Sequence, residues 1–273
     1  MTRQIRVREL IGWDLDQYPF RPPLVDIAKQ DSARRLVSQK DPYTAKDAFC
    51  DHEAELLRDT LNLQLTRPEL NAEMCGLEWS LGVVDFRLLL AFQRRLSFDP
   101  ALSAPPLPGH NDWEGILELC FAPPKPIVCE VSHDAVDRTV TLQSSNPNLH
   151  LRVTNDPAAP LAVHAGGTFV EVALYKERPF LRDGYHRAYQ LLKGGVFRVP
   201  AVIVRARTLQ ELGANQPWFF PEPVLLSTHP PTVCDFLNEA LTVTYTRPPI
   251  IKTLRITMEE IISPAPFTQG EQP

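Results

Sequence analysis

The chain has 273 residues, 44% of them hydrophobic, with a formal net charge of −5. That is enough apolar material for one large domain or two modest ones, and the acidic balance speaks against a strongly basic nucleic-acid binder. The five cysteines (Cys50, Cys75, Cys120, Cys129 and Cys234) form no CxxC and stand near no His pair at zinc-finger spacing, so the expectation is reduced, mostly buried thiols and no metal site.

The start, Met1-Thr2-Arg3-Gln4-Ile5-Arg6, has no apolar secretory core, and no run approaches the roughly 18 apolar residues of a membrane span. A cytoplasmic protein with no membrane partner is expected. Gln4–Leu10 alternates weakly and reads as a short strand. A rigid turn follows at Tyr18–Pro23, then a helix over Leu24–Ser38 with Ile27, Ala28, Leu36 and Val37 as its apolar members. Thr44–Leu61 reads as a helix capped by Thr44, and Pro68–Gly76 as a short helix or turn. Val83–Leu96 is apolar enough for a buried helix or a long strand, and periodicity does not separate the two.

Ser103–Gly109, rich in proline, reads as a linker. Beyond it Gly115–Phe121, Ile127–His133, Thr139–Gln143 and Leu149–Val153 read as short strands between Pro, Asn and Asp turns. Cys120 and Cys129 would then lie on neighbouring strands. Phe169–Tyr175 alternates, a helix Tyr185–Lys193 ends at Gly194-Gly195, and Val199–Arg205 is a further strand. Leu254, Ile256 and Met258 alternate with polar residues as in a one-sided strand. The expected fold class is α+β. Residues 1–103 form a mostly helical N-terminal region, 110–262 a mixed β-sheet region, and 263–273 a frayed tail.

The segment that carries chemistry is Arg182-Asp183-Gly184-Tyr185-His186-Arg187. A strand runs into Asp183, a good N-cap, so Gly184, Tyr185 and His186 open the helix with main-chain N–H groups that lack intrahelical partners. The helix dipole adds positive potential there, and Gly184 lets an anion approach without a Cβ in the way. His186 and Arg187 add side-chain donors, Arg187 with a fork that matches phosphate oxygens. Arg182 and Arg178 add charge upstream. This is the physics of a phosphate or nucleotide site at a helix start.

The Gly184-Tyr185-His186-Arg187 turn, the helix through Leu192 and the strand Val199-Pro200-Ala201-Val202 resemble, in order and spacing, the strand–turn–helix–strand unit of the ParB/sulfiredoxin-like superfamily. The resemblance spans Phe169 to Arg207. It implies that Gly184, His186 and Arg187 contact nucleotide phosphates. Tyr185 stands where sulfiredoxins carry their reactive cysteine, which argues against sulfinic acid reduction. No helix-turn-helix follows as in chromosome-partition ParB proteins, so a nucleic-acid partner is not expected. The catalytic carboxylate of the family's free-serine kinase has no clear counterpart, Glu171 and Glu177 being only nearby in sequence.

Two functions follow. The first is a phosphate- or nucleotide-binding protein, with phosphoryl transfer or phosphodiester chemistry if it is an enzyme. Such chemistry would call on Mg²⁺ to neutralise phosphate charge. The second is a non-catalytic interaction or regulatory scaffold that has lost the family's chemistry, with a protein partner. The remaining polar motifs read as structural: His52-Glu53 as a solvated helix face, His164–Gly167 as a turn, Arg94-Arg95 as a surface pair, and Trp13, Trp79, Trp113 and Trp218 as core or rim anchors.

Overall fold

A computed structural model describes residues 3–22, 27–44, 47–101, 105–123, 126–146, 148–154, 157–164 and 168–263. In chain order the first elements are β1 (Ile5–Leu10), α1 (Ile27–Ser38), α2 (Asp51–Leu56), α3 (Arg58–Leu65), α4 (Pro68–Glu73), β2 (Trp79–Asp85), β3 (Leu90–Ala91), β4 (Arg95–Phe98) and α5 (Trp113–Cys120). Next come β5 (Glu130–Asp134), β6 (Thr139–Ser144), β7 (His150–Val153), β8 (Leu161–His164), β9 (Glu171–Tyr175), β10 (Arg178–Asp183) and α6 (Tyr185–Lys193). The last are β11 (Arg198–Ala206), α7 (Leu209–Leu212), α8 (Glu222–Leu225), β12 (Thr242–Arg247) and β13 (Lys252–Thr257), with 3₁₀ turns at Phe86–Leu88 and Val233–Leu237. The class is α+β, as the residue pattern implies.

The division into domains differs from the sequence expectation of 1–103 and 110–262. One unit comprises Met1–Lys125 and Gly167–Pro249, the other Pro126–Gly166 and Ile250–Pro273. The reason is strand pairing across the chain. β1 pairs antiparallel with β12, and β2 pairs antiparallel with β11, so N-terminal strands complete sheets begun by C-terminal ones. The N-terminal region is therefore strands as well as helices.

In the first unit a five-stranded sheet runs β2-β11-β9-β10-β3, and a three-stranded sheet runs β12-β1-β4. β11 and β9 are parallel, while β9 and β10 form an antiparallel hairpin. That hairpin turns through Lys176 and Glu177, both at positive φ, which suits the right-handed twist of the strands. Val170, Val172, Ala173, Val199, Ala201, Val202 and Val204 are buried, so β9 and β11 are covered on both faces. Helix α6 lays Tyr185, Ala188, Leu191 and Leu192 onto this core. Burying each leucine contributes about 1.5–3 kcal/mol.

Several local expectations are corrected. Gly115–Cys120 is not a strand but lies in α5, with Phe121 as the C-cap, because the Asp112 carboxylate accepts the Gly115 N–H at 3.0 Å and caps the helix. Ile116, Leu117 and Cys120 form its buried face, so Cys120 is on a helix and not on a strand. The helix expected from Thr44 starts at Asp51. Its upstream residues are held extended on β2, with Phe49 bridged to Val84 and the Cys50 N–H donated to the Val83 carbonyl at 2.9 Å. It also breaks at Leu57 into α2 and α3. Val83–Leu96 is strand, turn and strand: the Asp85 carboxylate accepts the Arg87 N–H at 2.9 Å and turns the chain. In α1 the buried positions are Ala33 and Val37, while Ile27 and Leu36 are exposed; Leu24–Asp26 lie outside the described residues, as does the tail beyond Ser263.

The second unit holds a three-stranded antiparallel sheet, β13-β6-β5, and a hairpin, β7-β8. Leu254 and Ile256 of β13 stand opposite Leu142 and Val140 of β6, while Thr253, Arg255 and Thr257 are exposed, as the alternation implies.

Candidate functional site

The motif sits where β10 ends and α6 begins. The expected N-cap is shifted by one residue: Gly184 occupies the cap in the left-handed region at φ +95, and Tyr185 is the first helical residue. Asp183 folds its carboxylate onto the Gly184 N–H at 2.6 Å. The positive end of the helix is therefore already met by a carboxyl group of the chain itself.

Each motif side chain has a partner within the chain. Arg187 donates Nη1 to the carbonyls of Leu119, at 3.2 Å, and Thr168, and Nη2 to that of Phe169 at 2.5 Å. Its guanidinium curls back over the helix start, so that a Cβ on Gly184 would lie 3.5 Å from both Nε and Nη2 of Arg187 and 3.2 Å from Val170 Cγ2. The space that glycine leaves is filled by the chain's own cation. Tyr185 is buried; its hydroxyl accepts the N–H groups of Phe92, at 2.9 Å, and Gln93, at 3.4 Å. Its ring meets Phe92 edge-on at 5.7 Å. His186 places Nε2 2.9 Å from the Ser97 carbonyl. Because a carbonyl only accepts, Nε2 carries the hydrogen. The ring packs edge-on against Phe98 at 5.5 Å.

Arg182 pairs with Glu171 and donates Nε to the Glu211 carbonyl at 3.0 Å. Glu171, at the start of β9, is the cross-strand neighbour of Asp183, beside a bulge in β10. Burial pushes the Glu171 carboxyl up to about 7, against the pull of Arg182 and with Asp183 and Glu73 adding to the rise. Burial also raises Asp183, offset in part by Arg187. The helix front is thus a mixed acidic and basic cluster whose charged side chains are bonded within the chain, with His186 exposed at its edge. Arg178, expected to add charge, points away and donates Nη1 to the carbonyls of Leu225 and Ser227 at 3.1 and 2.9 Å.

The other sequence motifs fall elsewhere. Glu53 pairs with Arg198, and His164 closes β8 while residues 165–167 lie outside the described residues. Arg94-Arg95 is not a surface pair, since Arg94 is 6% exposed. Arg95 donates Nε to Glu9 at 2.9 Å and also pairs with Asp16. Arg21 reaches both Glu9 oxygens, at 2.6 and 3.0 Å, and Tyr245 donates its hydroxyl to Glu9 at 2.8 Å. Burial and the Glu9 charge push the Tyr245 phenol far up. The sequence signal for this cluster is Glu9 itself, which shares a strand face with Ile5 and Val7. Among the described residues no group of three or more His, Cys, Asp or Glu side chains is placed to hold a metal ion, and no helix is long and apolar enough to cross a membrane.

No family model, curated protein or solved structure matches the chain.

Proposed function

We propose that this protein is a non-catalytic interaction or regulatory scaffold, built on a ParB/sulfiredoxin-like strand–turn–helix–strand unit whose anion site has been converted into structure. The observation that supports this reading is the Arg187 guanidinium, folded over Gly184 and committed to the carbonyls of Leu119, Thr168 and Phe169. A phosphate at the helix front would have to displace the Asp183 carboxylate from the Gly184 N–H and pull Arg187 from those carbonyls. Taking the donor from the buried Phe169 and the half-buried Leu119 and Thr168 costs about 1 kcal/mol for each bond, which opposes phosphate binding there. Tyr185 in place of a reactive residue, with its hydroxyl taken up by two main-chain donors, fits the same reading.

The test is a calorimetric and thermal-shift titration with ATP, CTP, GTP and pyrophosphate, with and without Mg²⁺. The scaffold reading expects no saturable heat and no change in Tm with any of them. Saturable binding of any one, strengthened by Asp183→Asn, would restore the nucleotide-binding reading and end this one.

A further inference from the structure

Arg94 lies between β3 and β4, 94% removed from solvent by its 6% exposure. Its Nε donates to the Phe219 carbonyl at 3.1 Å, Nη1 donates to the Asp14 carbonyl at 2.6 Å, and the guanidinium lies 4.2 Å from the centre of the Phe220 ring. Unlike Arg21 and Arg95, it has no carboxylate within ion-pair distance among the described residues. The cluster around it therefore sets the two carboxylates Glu9 and Asp16 against the three guanidiniums Arg21, Arg94 and Arg95, leaving one positive charge in excess. Burial depresses the Arg94 pKa, with Asp16 and Glu9 countering and Arg95 and Arg21 reinforcing. A guanidinium keeps its proton even so, and the cluster remains short of one negative charge.

On its open side Arg94 lines a groove of about 410 Å³ with Leu209, Asn215, Pro217, Phe219 and Phe220. That volume suits a small ligand or one terminal residue of a chain. The wall is mostly apolar. Glu222 stands at the rim, but its carboxylate is taken by Lys176 at 2.7 Å and the Tyr175 hydroxyl at 2.5 Å, so it does not neutralise Arg94.

We propose that this groove binds a monoanionic carboxylate carried on an apolar or aromatic body, with Arg94 as its counter-charge and Asn215 as a rim hydrogen-bonding group. One negative charge matches the surplus, whereas a phosphate dianion exceeds it. The site is separate from the α6 helix start and does not depend on how that start is read. The carboxylate belongs either to a free small acid or to the last residue of a polypeptide.

The experiment is calorimetry on the full chain with three probes: N-acetyl-phenylalanine, its neutral amide, and a hexapeptide ending in phenylalanine. Saturable binding of a carboxylate probe, with the amide at least tenfold weaker, is the expected result. Arg94→Gln should abolish it. Because that variant also removes donors from two carbonyls, Asn215→Trp, which fills the exposed rim, should abolish binding while leaving the fold intact by circular dichroism. Tighter binding of the hexapeptide assigns the carboxylate to a chain terminus, and equal or weaker binding assigns it to a free acid. No binding of either acid at concentrations on the order of 10 mM, an amide that binds as well as the acid, or a folded Asn215→Trp that still binds, overturns the proposal.

Discussion

Replacing Arg187 by alanine separates a structural arginine from a ligand-binding one by the sign of its effect. In the structure Arg187 holds the Leu119 carbonyl near the end of α5 and the Thr168 and Phe169 carbonyls ahead of β9. Removing the guanidinium leaves three acceptors without this donor. Phe169 is buried, whereas Leu119 and Thr168 are half-buried, so water can replace part of what is lost. At about 1 kcal/mol for each bond, the loss is about 3 kcal/mol. If Arg187 instead faced solvent to await a phosphate, it would be a cation in the first turn of a helix. Its removal would then be neutral or stabilising by about 0.3–1 kcal/mol. Urea unfolding followed by far-UV circular dichroism reads the difference as a lower midpoint at unchanged slope. Arg187→Lys keeps the charge without the fork and is expected to recover less than half of the loss. A destabilisation below about 1 kcal/mol for the alanine variant would refute the claim that this residue is a clamp.

Other consequences follow from the same geometry. Gly184→Ala is expected to lower stability by about 2 kcal/mol in the same assay, from a residue at φ +95 and a Cβ 3.2 Å from Val170 Cγ2. Glu171, raised from 4.5 to about 7, favours its neutral form when folded, so the chain loses stability as pH rises from about 4.5 to about 7. Glu171→Gln, which keeps an acceptor for Arg182, should flatten that slope in unfolding measured across the window, and an unchanged slope would place the titration elsewhere. Glu9→Ala strands Arg21, Arg95 and Tyr245 in a buried cluster and should cost about 3–5 kcal/mol by urea unfolding. Among the thiols, burial pushes Cys120 up to about 12 while Cys75 is exposed. Mass spectrometry after maleimide labelling should find Cys75 modified first and Cys120 only on unfolding.

Much of the secondary structure could be read from residue periodicity because local physics decided it. α6 keeps its expected bounds, Tyr185–Lys193, with Ala188, Leu191 and Leu192 inward and Gly194-Gly195 after it. The β13 alternation also keeps its register. The expectations that did not hold are those where distant pairing overrode local preference. Residues after Thr44 have good helical spacing, yet Phe49 and Cys50 are drawn onto β2 and the helix waits until Asp51. Gly115–Phe121 looks like a strand by composition, and only the Asp112 cap, three residues upstream of the Gly115 N–H it accepts, identifies α5. The domain division was hidden for the same reason: β1 pairs Leu10 with Thr242 of β12, 232 residues further along the chain, and nothing local in either strand names the other.

The candidate site was legible in its place in the fold but not in the partners its side chains take. Its residues do converge on one helix start, and the group that meets that start is the carboxyl of Asp183, two residues before the helix begins. A sequence shows that Arg187 and Arg182 lie beside unpaired main-chain donors, but not that the carbonyls of Leu119, Thr168 and Phe169 take up Arg187 and that of Glu211 takes up Arg182. Arg94 presents the opposite case. Beside another arginine in the sequence it has the appearance of a solvated charge, yet the pairing of Arg95 with Glu9 and Asp16 leaves Arg94 as the unbalanced member of a buried set. Buried charges are costly unless compensated. Arg182 and Arg187 are satisfied within the chain, whereas Arg94 is buried, lines a groove and has no carboxylate within ion-pair distance among the described residues, so the electrostatic demand left open there lies at Arg94 rather than at Gly184.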